Sequence, residues 1–256
     1  MSDDLTLLAA AARSAGAIAL RYFRQSPKAW DKGGGNDPVT EADMAVNAML
    51  EQTLRSARPG YGWLSEETPD SAARLARSRT FIIDPIDGTR AFIEGLDTFS
   101  HSLAIADRGR ITAAAVYLPA LDRLYTASLG APATKNGQPI VASAQPGITG
   151  ATILSTKPNF GFEHWPGGVP DVSRSFRPSL AYRLCLVAEG RHDGMLTFRP
   201  TWEWDIAAGA LIAARAGALV TDGQGAALKF NQPDPRAPGV IAAAPGLHAD
   251  LLRRRV

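Results

Sequence analysis

The chain has 256 residues, 45% of them hydrophobic, with 27 Lys or Arg against 25 Asp or Glu. That length and apolar content can bury a substantial core, as one domain or two closely packed ones, and argue against a disordered chain. A net charge of only +2 excludes a basic surface built for nucleic-acid polymers, while leaving a small anionic substrate compatible.

The N-terminus, Ser2-Asp3-Asp4, lacks the basic segment of a signal peptide. From Leu5 to Phe23, apolar residues recur at Leu5, Leu8, Ala12, Ala15, Ala19 and Tyr22, which predicts a packing helix. Arg13 interrupts this alanine-rich start, so no apolar run reaches membrane-spanning length. The stretch from Trp30 to Asp37, with Gly33-Gly34-Gly35, is expected to be a mobile loop or flap. With no Lys-Ser/Thr after the glycines, it is not a P-loop. Thr40-Glu41-Ala42-Asp43 matches a capping box, and Ala42, Val46, Met49, Leu50 and Leu54 continue as one face of a second helix.

Tyr61 to Ser65 reads as a short strand running into Glu66-Glu67, and Thr80 to Asp84 as a buried strand that stops at Asp84 and delivers a carboxylate to its end. Pro85 fixes its own φ and biases Asp84 towards extended backbone, so the chain is expected to turn at once and bring Asp87 to the side of Asp84. Asp-Pro followed by Asp-Gly is also ordinary turn chemistry. Two carboxylates that close repel each other unless one is protonated or cations lie between them. Gly88-Thr89 adds backbone that can approach a ligand, with N–H groups for a phosphate if a helix or tight turn opens there.

Thr98 to Ala106 and Arg110 to Tyr117 are strands joined by Asp107-Arg108-Gly109. Arg123 to Ser128 adds a third, and Asn136-Gly137 marks a further hairpin. After about residue 145 the pattern alternates. Strands are expected at Ala151 to Ser155, Met195 to Phe198, Ala218 to Thr221 and Val240 to Ala243, and helices at Leu180 to Glu189, Asp205 to Ala216 and Gly246 to Arg254. Asn159 to Pro170, rich in Pro and Gly, reads as a surface loop. Residues 1–145 are therefore expected to form an N-terminal α+β half carrying the acidic motif, and residues 146–256 a C-terminal α/β half that closes the site. Cys185, the single cysteine, excludes an internal disulfide and fits a reducing, cytoplasmic setting as a core residue.

Further acids stand at element edges: Asp43 in a helix first turn, Glu66 and Glu67 at a strand end, and Asp205 at a helix start after Trp202-Glu203-Trp204. Singly, each has a structural role as capping partner, solvated charge or N-cap. If the strands ending at Glu66 and Asp84 are neighbours, however, their carboxylates converge with Asp87, and Asp205 joins them from the other half. Oxygen donors with no histidine or cysteine nearby select Mg²⁺ over zinc.

Asp84-Pro85-Ile86-Asp87-Gly88-Thr89, with Ser65-Glu66-Glu67 and Val39-Thr40-Glu41-Ala42-Asp43 upstream and Trp204-Asp205-Ile206-Ala207-Ala208-Gly209 downstream, resembles the inositol monophosphatase superfamily of Mg²⁺-dependent, lithium-sensitive phosphatases. The motifs stand in the family's order across most of the chain. The resemblance implies an α+β fold, a layered α-β-α-β-α sandwich, with two or three Mg²⁺ per site. It assigns one cation to Glu66, Asp84 and the Ile86 carbonyl, a second to Asp84, Asp87 and Asp205, and a third to Glu66. It gives Asp43 and Thr89 the positioning and deprotonation of the attacking water, and gives the N–H groups of Gly88 and Thr89 to the phosphate.

Leu184 to Asp193, Pro200 to Gly209 and Phe230 to Gly239 are more similar to the 3′(2′),5′-bisphosphate nucleotidase branch, which hydrolyses adenosine 3′,5′-bisphosphate to AMP. Arg183 stands where that branch has a lysine and can take a second phosphate bidentately. Thr197 stands where the branch has an arginine, and Arg199, two places on, faces the same side of a strand. Ser155-Thr156-Lys157-Pro158 and Arg90-Ala91-Phe92 also depart from the branch. An inositol or sugar monophosphatase is the alternative within the same chemistry, and a non-catalytic anion- or nucleotide-binding relative the alternative of another class. Trp202 and Trp204 suit either stacking on adenine or packing at the core rim, and His101, His164, His192 and His248 have no mutual spacing that suggests a site. Superfamily members occur as monomers and homodimers, and no motif here decides between them.

Overall fold

In a computed structural model, which describes residues 3–33 and 37–255, the two-residue period of the long strand through Asp84 sets the layering. The elements in chain order are α1 (Asp3–Tyr22), β1 (Ala29–Asp31), β2 (Pro38–Thr40), α2 (Glu41–Ala57), β3 (Gly62–Ser65), β4 (Arg79–Asp87), α3 (Thr89–Ile93), β5 (Ser100–Asp107), β6 (Arg110–Leu118), β7 (Arg123–Ser128), β8 (Ala131–Lys135) and β9 (Gln138–Pro139). They continue as β10 (Thr152–Leu154), β11 (Ser173–Ser175), α4 (Leu180–Ala188), β12 (Gly194–Thr197), β13 (Thr201–Trp202), α5 (Glu203–Arg215), β14 (Leu219–Asp222), β15 (Arg236–Ala237), β16 (Val240–Ala243) and α6 (Pro245–Arg253).

β3 to β9 lie side by side in chain order as one seven-stranded sheet, parallel between β3 and β4 and antiparallel thereafter. Phe81 and Ile83, with Leu103, Ile105 and Ala115, face α1 and α2, where Leu8, Ala15, Val46 and Leu50 are buried. The alternate residues Ile82, Ala104, Ala114 and Val116 face α4 and α5. Both faces are covered, which is why Phe81-Ile82-Ile83 reads as an unbroken apolar run. A second sheet, ordered β11-β10-β12-β16-β14, sends Leu154, Met195 and Ala242 into the same core as α4 and α5. Its other face, with Ile153, Leu196 and Ile241, packs on Leu247 and Leu251 of α6. The order of layers is α-β-α-β-α, an α+β sandwich.

Thr40 caps α2 as its sequence predicts, with the reciprocal bonds of a capping box to Asp43. Three expectations need correction. β4 does not stop at Asp84 but runs on to Asp87, because β5 continues to pair with it. Asp205 is not an N-cap: α5 begins two residues earlier, after the extended Trp202, and Glu203 N–H donates to the Pro235 carbonyl across 2.8 Å. The segment 159–170 is not only surface. Trp165 lies in the core against α6, and its Nε1–H donates to the Asn159 carbonyl (2.8 Å). The predicted flap falls partly on Gly34 and Gly35, which lie outside the described residues.

α4 and α5 approach closely at Gly209, where a Cβ would stand 2.6 Å from Leu184 Cβ. Alanine in place of glycine gains about 1 kcal/mol in helix propensity, but forcing a methyl into a filled contact costs about 1–3 kcal/mol. Gly209→Ala is therefore expected to lower the free energy of unfolding in urea by up to about 2 kcal/mol. An unchanged or raised midpoint would mean that the two helices have room to spare.

Candidate active site

The site begins with an irregularity in the central ladder. β4 and β5 pair at Asp84↔Ser102 and again at Asp87↔Ser100, so Pro85 and Ile86 together oppose the single residue His101. Residues three apart on a regular strand point to opposite faces, and the extra residue of this bulge returns Asp87 to the face of Asp84. Ile86 meanwhile enters the core under α1 and α2.

The serines opposite each aspartate fasten the helices that complete the site. Ser102 Oγ donates to the Trp204 carbonyl (2.9 Å), which sets the first turn of α5 and with it Asp205 beside Asp84. Ser100 Oγ and Ser179 Oγ are 3.0 Å apart, and Ser179, the N-cap of α4, donates to Asp87 Oδ2 (2.6 Å). The N–H groups of Leu180 and Ala181 also reach the Asp87 carboxylate, at 3.2 and 2.7 Å. An anion there complements the positive end of the helix.

One carboxylate oxygen from each of Asp84, Asp87 and Asp205 lies within 4.8 Å of the others. Burial raises the Asp84 pKa well above the usual carboxylate range, and the neighbouring charges of Glu66, Asp87 and Asp205 raise it further. Burial also raises Asp205, with Asp87 and Glu66 adding to the shift. Asp87 is pushed up to about 6 by burial, against the lowering effect of its bonds to Ser179, Ala181 and Leu180 and of the Arg183 charge. Asp84 Oδ1 is buried with no hydrogen-bond partner. Crowded, desolvated oxygen donors with one oxygen unpartnered fit a hard divalent cation, and these three residues could hold one.

Glu66 follows Ser65, which pairs with Ile83, and its N–H donates to the Ile83 carbonyl (3.2 Å), so β3 brings it alongside Asp84. Its Oε1 is 2.9 Å from Lys32 Nζ, and the same ammonium is 2.5 Å from Glu67 Oε1. Burial alone would lower the Lys32 pKa, but the two glutamates outweigh it and raise the value. Glu67 is pushed up to about 7 by burial despite that lysine.

Asp43, buried in the first turn of α2, accepts from Thr40 N–H at 2.8 Å and from Thr40 Oγ1 at 2.5 Å. Thr89 Oγ1 lies 3.2 Å from Asp43 Oδ1 and 3.1 Å from the Ile86 carbonyl, and its one proton can serve either. Burial pushes Asp43 up to about 6, opposed by the Thr40 bonds. Gly88 opens α3 at φ +96°, a backbone state that glycine reaches without steric penalty.

A cavity of about 550 Å³ opens beside Gly88 and Thr89, with Arg90, Arg183, Thr197 and Arg199 on its wall. Arg183 is mostly buried. Its Nε and Nη2 donate to the Arg177 and Pro178 carbonyls, its guanidinium lies 4.4 Å from the centre of the Phe176 ring, and burial lowers its pKa to about 10. Trp202 and Trp204 stack on each other (4.6 Å, 10°) and line no part of this cavity, so the packing alternative describes them.

Sequence reasoning missed Lys32, Ser179 and His101. Ser179 before an apolar run carries an N-cap signal, but its bond to Asp87 is tertiary. Nothing local marks Lys32 as a partner of Glu66, or His101 as the residue facing the bulge.

Over residues 1–256 the chain matches the inositol monophosphatase family. It is 35% identical to the inositol-1-monophosphatase of Rhizobium meliloti over 202 residues, 75% of this chain and 74% of that protein. It is 34% identical over 235 residues to the Nus factor SuhB of Salmonella typhimurium, covering 87% of this chain and 86% of that one. The crystal structure of the extragenic suppressor protein suhB from Bartonella henselae superimposes with a TM-score of 0.85 at 29% identity, over 99% of this chain and 98% of that one. Among the described residues, no helix is long and apolar enough to cross a membrane.

Asp43, Asp84, Asp87 and Asp205 bind a proton more tightly folded than unfolded. Their contribution to stability is full below the ordinary carboxylate range; that of Asp43 and Asp87 is lost as pH rises through about 6, and that of Asp84 and Asp205 as pH rises through their own raised values. A divalent cation binds the deprotonated form, so its stabilising effect runs the other way. In thermal melts, saturating Mg²⁺ is expected to raise the midpoint more at pH 8 than at pH 5.5. Equal gains at both would mean that these carboxylates are not its ligands.

Proposed function

The chain belongs to the inositol monophosphatase family, and from that membership we propose that it is a Mg²⁺-dependent phosphoric monoester hydrolase acting on a small substrate that carries a second anionic group. The convergence of the buried Asp84 and Asp87 with the half-buried Asp205, with Asp43 and Thr89 beside them, carries this reading.

In this proposal Asp84, Asp87, Asp205, Glu66 and the Ile86 carbonyl hold two or three cations. When bound, Mg²⁺ would supply positive charge against the phosphate and lower the pKa of nearby water. Asp43 and Thr89 act as a unit: the hydroxyl orients the attacking water and Asp43 takes its proton. A carboxylate raised to about 6 suits a base working near neutral pH better than an ordinary aspartate does. The backbone N–H groups of Gly88 and Thr89 receive phosphoryl oxygens. Water attacks phosphorus in line, the ester P–O bond breaks, and the alcohol leaves with a proton from solvent. Asp87 ties this chemistry to the substrate wall, because its carboxylate also anchors the N-terminus of the helix that carries Arg183.

Arg183 and Arg199 stand on the wall of the cavity that also borders Thr89, two cations that could receive a second phosphate. This supports adenosine 3′,5′-bisphosphate, hydrolysed to AMP and phosphate, as the first candidate substrate. The name of the Rhizobium meliloti relative, inositol-1-monophosphatase, supports a second reading, an inositol monophosphate; a sugar phosphate is the variant of the same chemistry. Lithium, competing for a cation position, would inhibit either activity.

A phosphate-release panel of adenosine 3′,5′-bisphosphate, inositol 1-phosphate and fructose 1,6-bisphosphate with Mg²⁺ tests the proposal. Asp205→Asn is expected to lose at least about 100-fold in kcat, and Arg183→Ala to raise KM for the nucleotide far more than for inositol 1-phosphate. Release from none of the esters, or undiminished turnover by Asp205→Asn, would refute the hydrolase. Equal effects of Arg183→Ala on both esters would remove the second-phosphate role.

A further inference from the structure

The bulge that brings Asp84 and Asp87 to one face leaves Pro85 and Ile86 without a register partner of their own on β5, and Pro85 itself has no N–H to pair. The single residue facing this gap from β5 is His101, fully buried beneath the sheet, and its Nδ1 contacts the Pro85 carbonyl oxygen. A carbonyl only accepts, so Nδ1 carries the proton. Nε2, buried with no partner, is then the bare nitrogen. On the opposite face, the neighbours Ser100 and Ser102 fasten α4 and α5.

We propose that His101 is a positioning residue: its Nδ1–H bond to the Pro85 carbonyl holds the bulge in shape and thereby sets how tightly Asp84 and Asp87 grip a divalent cation. The inference rests on the hydrolase reading above, since it takes the aspartates as cation ligands. A regular strand would turn one of the two to the far face, so the bond that fills the gap acts on cation affinity without touching cation or substrate. Outer partners of this kind typically change metal affinity about 10–100-fold when removed. An asparagine amide places an N–H donor close to the position of Nδ1, whereas leucine fills similar space with no donor.

The test titrates Mn²⁺ into purified protein by calorimetry, with no substrate present. His101→Leu is expected to weaken binding about 10–100-fold, and His101→Asn to restore most of the loss. Wild-type affinity in a folded His101→Leu protein, or a loss in His101→Asn equal to that in His101→Leu, would overturn the inference. Should His101→Leu not fold, the ¹⁵N spectrum of the wild-type ring decides: a proton on Nδ1 supports the bond, and a proton on Nε2 removes it. Wild-type protein that takes up no Mn²⁺ would instead bring down the hydrolase reading, and this inference with it.

Discussion

Three carboxylates, two buried and the third, that of Asp205, half-buried, are held with oxygens within 4.8 Å of one another, and much of the surrounding architecture serves to keep them there. Left alone, such a cluster favours protonation or separation. It neither separates nor spreads, because each member is fixed by backbone built for another purpose. Asp84 and Asp87 belong to a nine-residue strand in the middle of the packing, and Asp205 belongs to a helix clamped between two sheets.

The serines of β5 show how economically this is done. Ser102 opposes Asp84 and bonds the turn that carries Asp205, while Ser100 opposes Asp87 and contacts the serine that caps α4. The same two strand positions that complete the ladder therefore dock both helices of the middle layer. A second network supports α5 from outside. Glu203 accepts from the N–H groups of Asn231 and Gln232, and Arg74 reaches the Asn231 side chain and the Gln232 carbonyl. Arg74 lies shortly after the strand that delivers Glu66, so this network ties the supports of Glu66 and Asp205 to each other.

Much of this was legible in the chain. Apolar spacing located the packing helices, the capping box marked Thr40, and the order of acidic motifs pointed to the family and so to the layered fold. The bulge was not legible. Asp-Pro and Asp-Gly are local turn signals, and only pairing with Ser102 and Ser100 reveals that the strand continues through them. The start of the helix expected from Asp205 was misplaced for a similar reason: it moves back to Glu203 because of contacts with the segment after Phe230, far away in sequence. The position of Arg183 was anticipated, but its ties to the Arg177 and Pro178 carbonyls were not, since those depend on how the preceding loop folds.

The central claim is that acids from both ends of the sequence form one divalent-cation site. A crystal soaked in Mn²⁺ and measured at the manganese absorption edge tests it most directly. The account predicts an anomalous peak in contact with carboxylate oxygens of Asp84, Asp87 and Asp205. Manganese bound only at other surfaces, with no peak between those three residues, would contradict it.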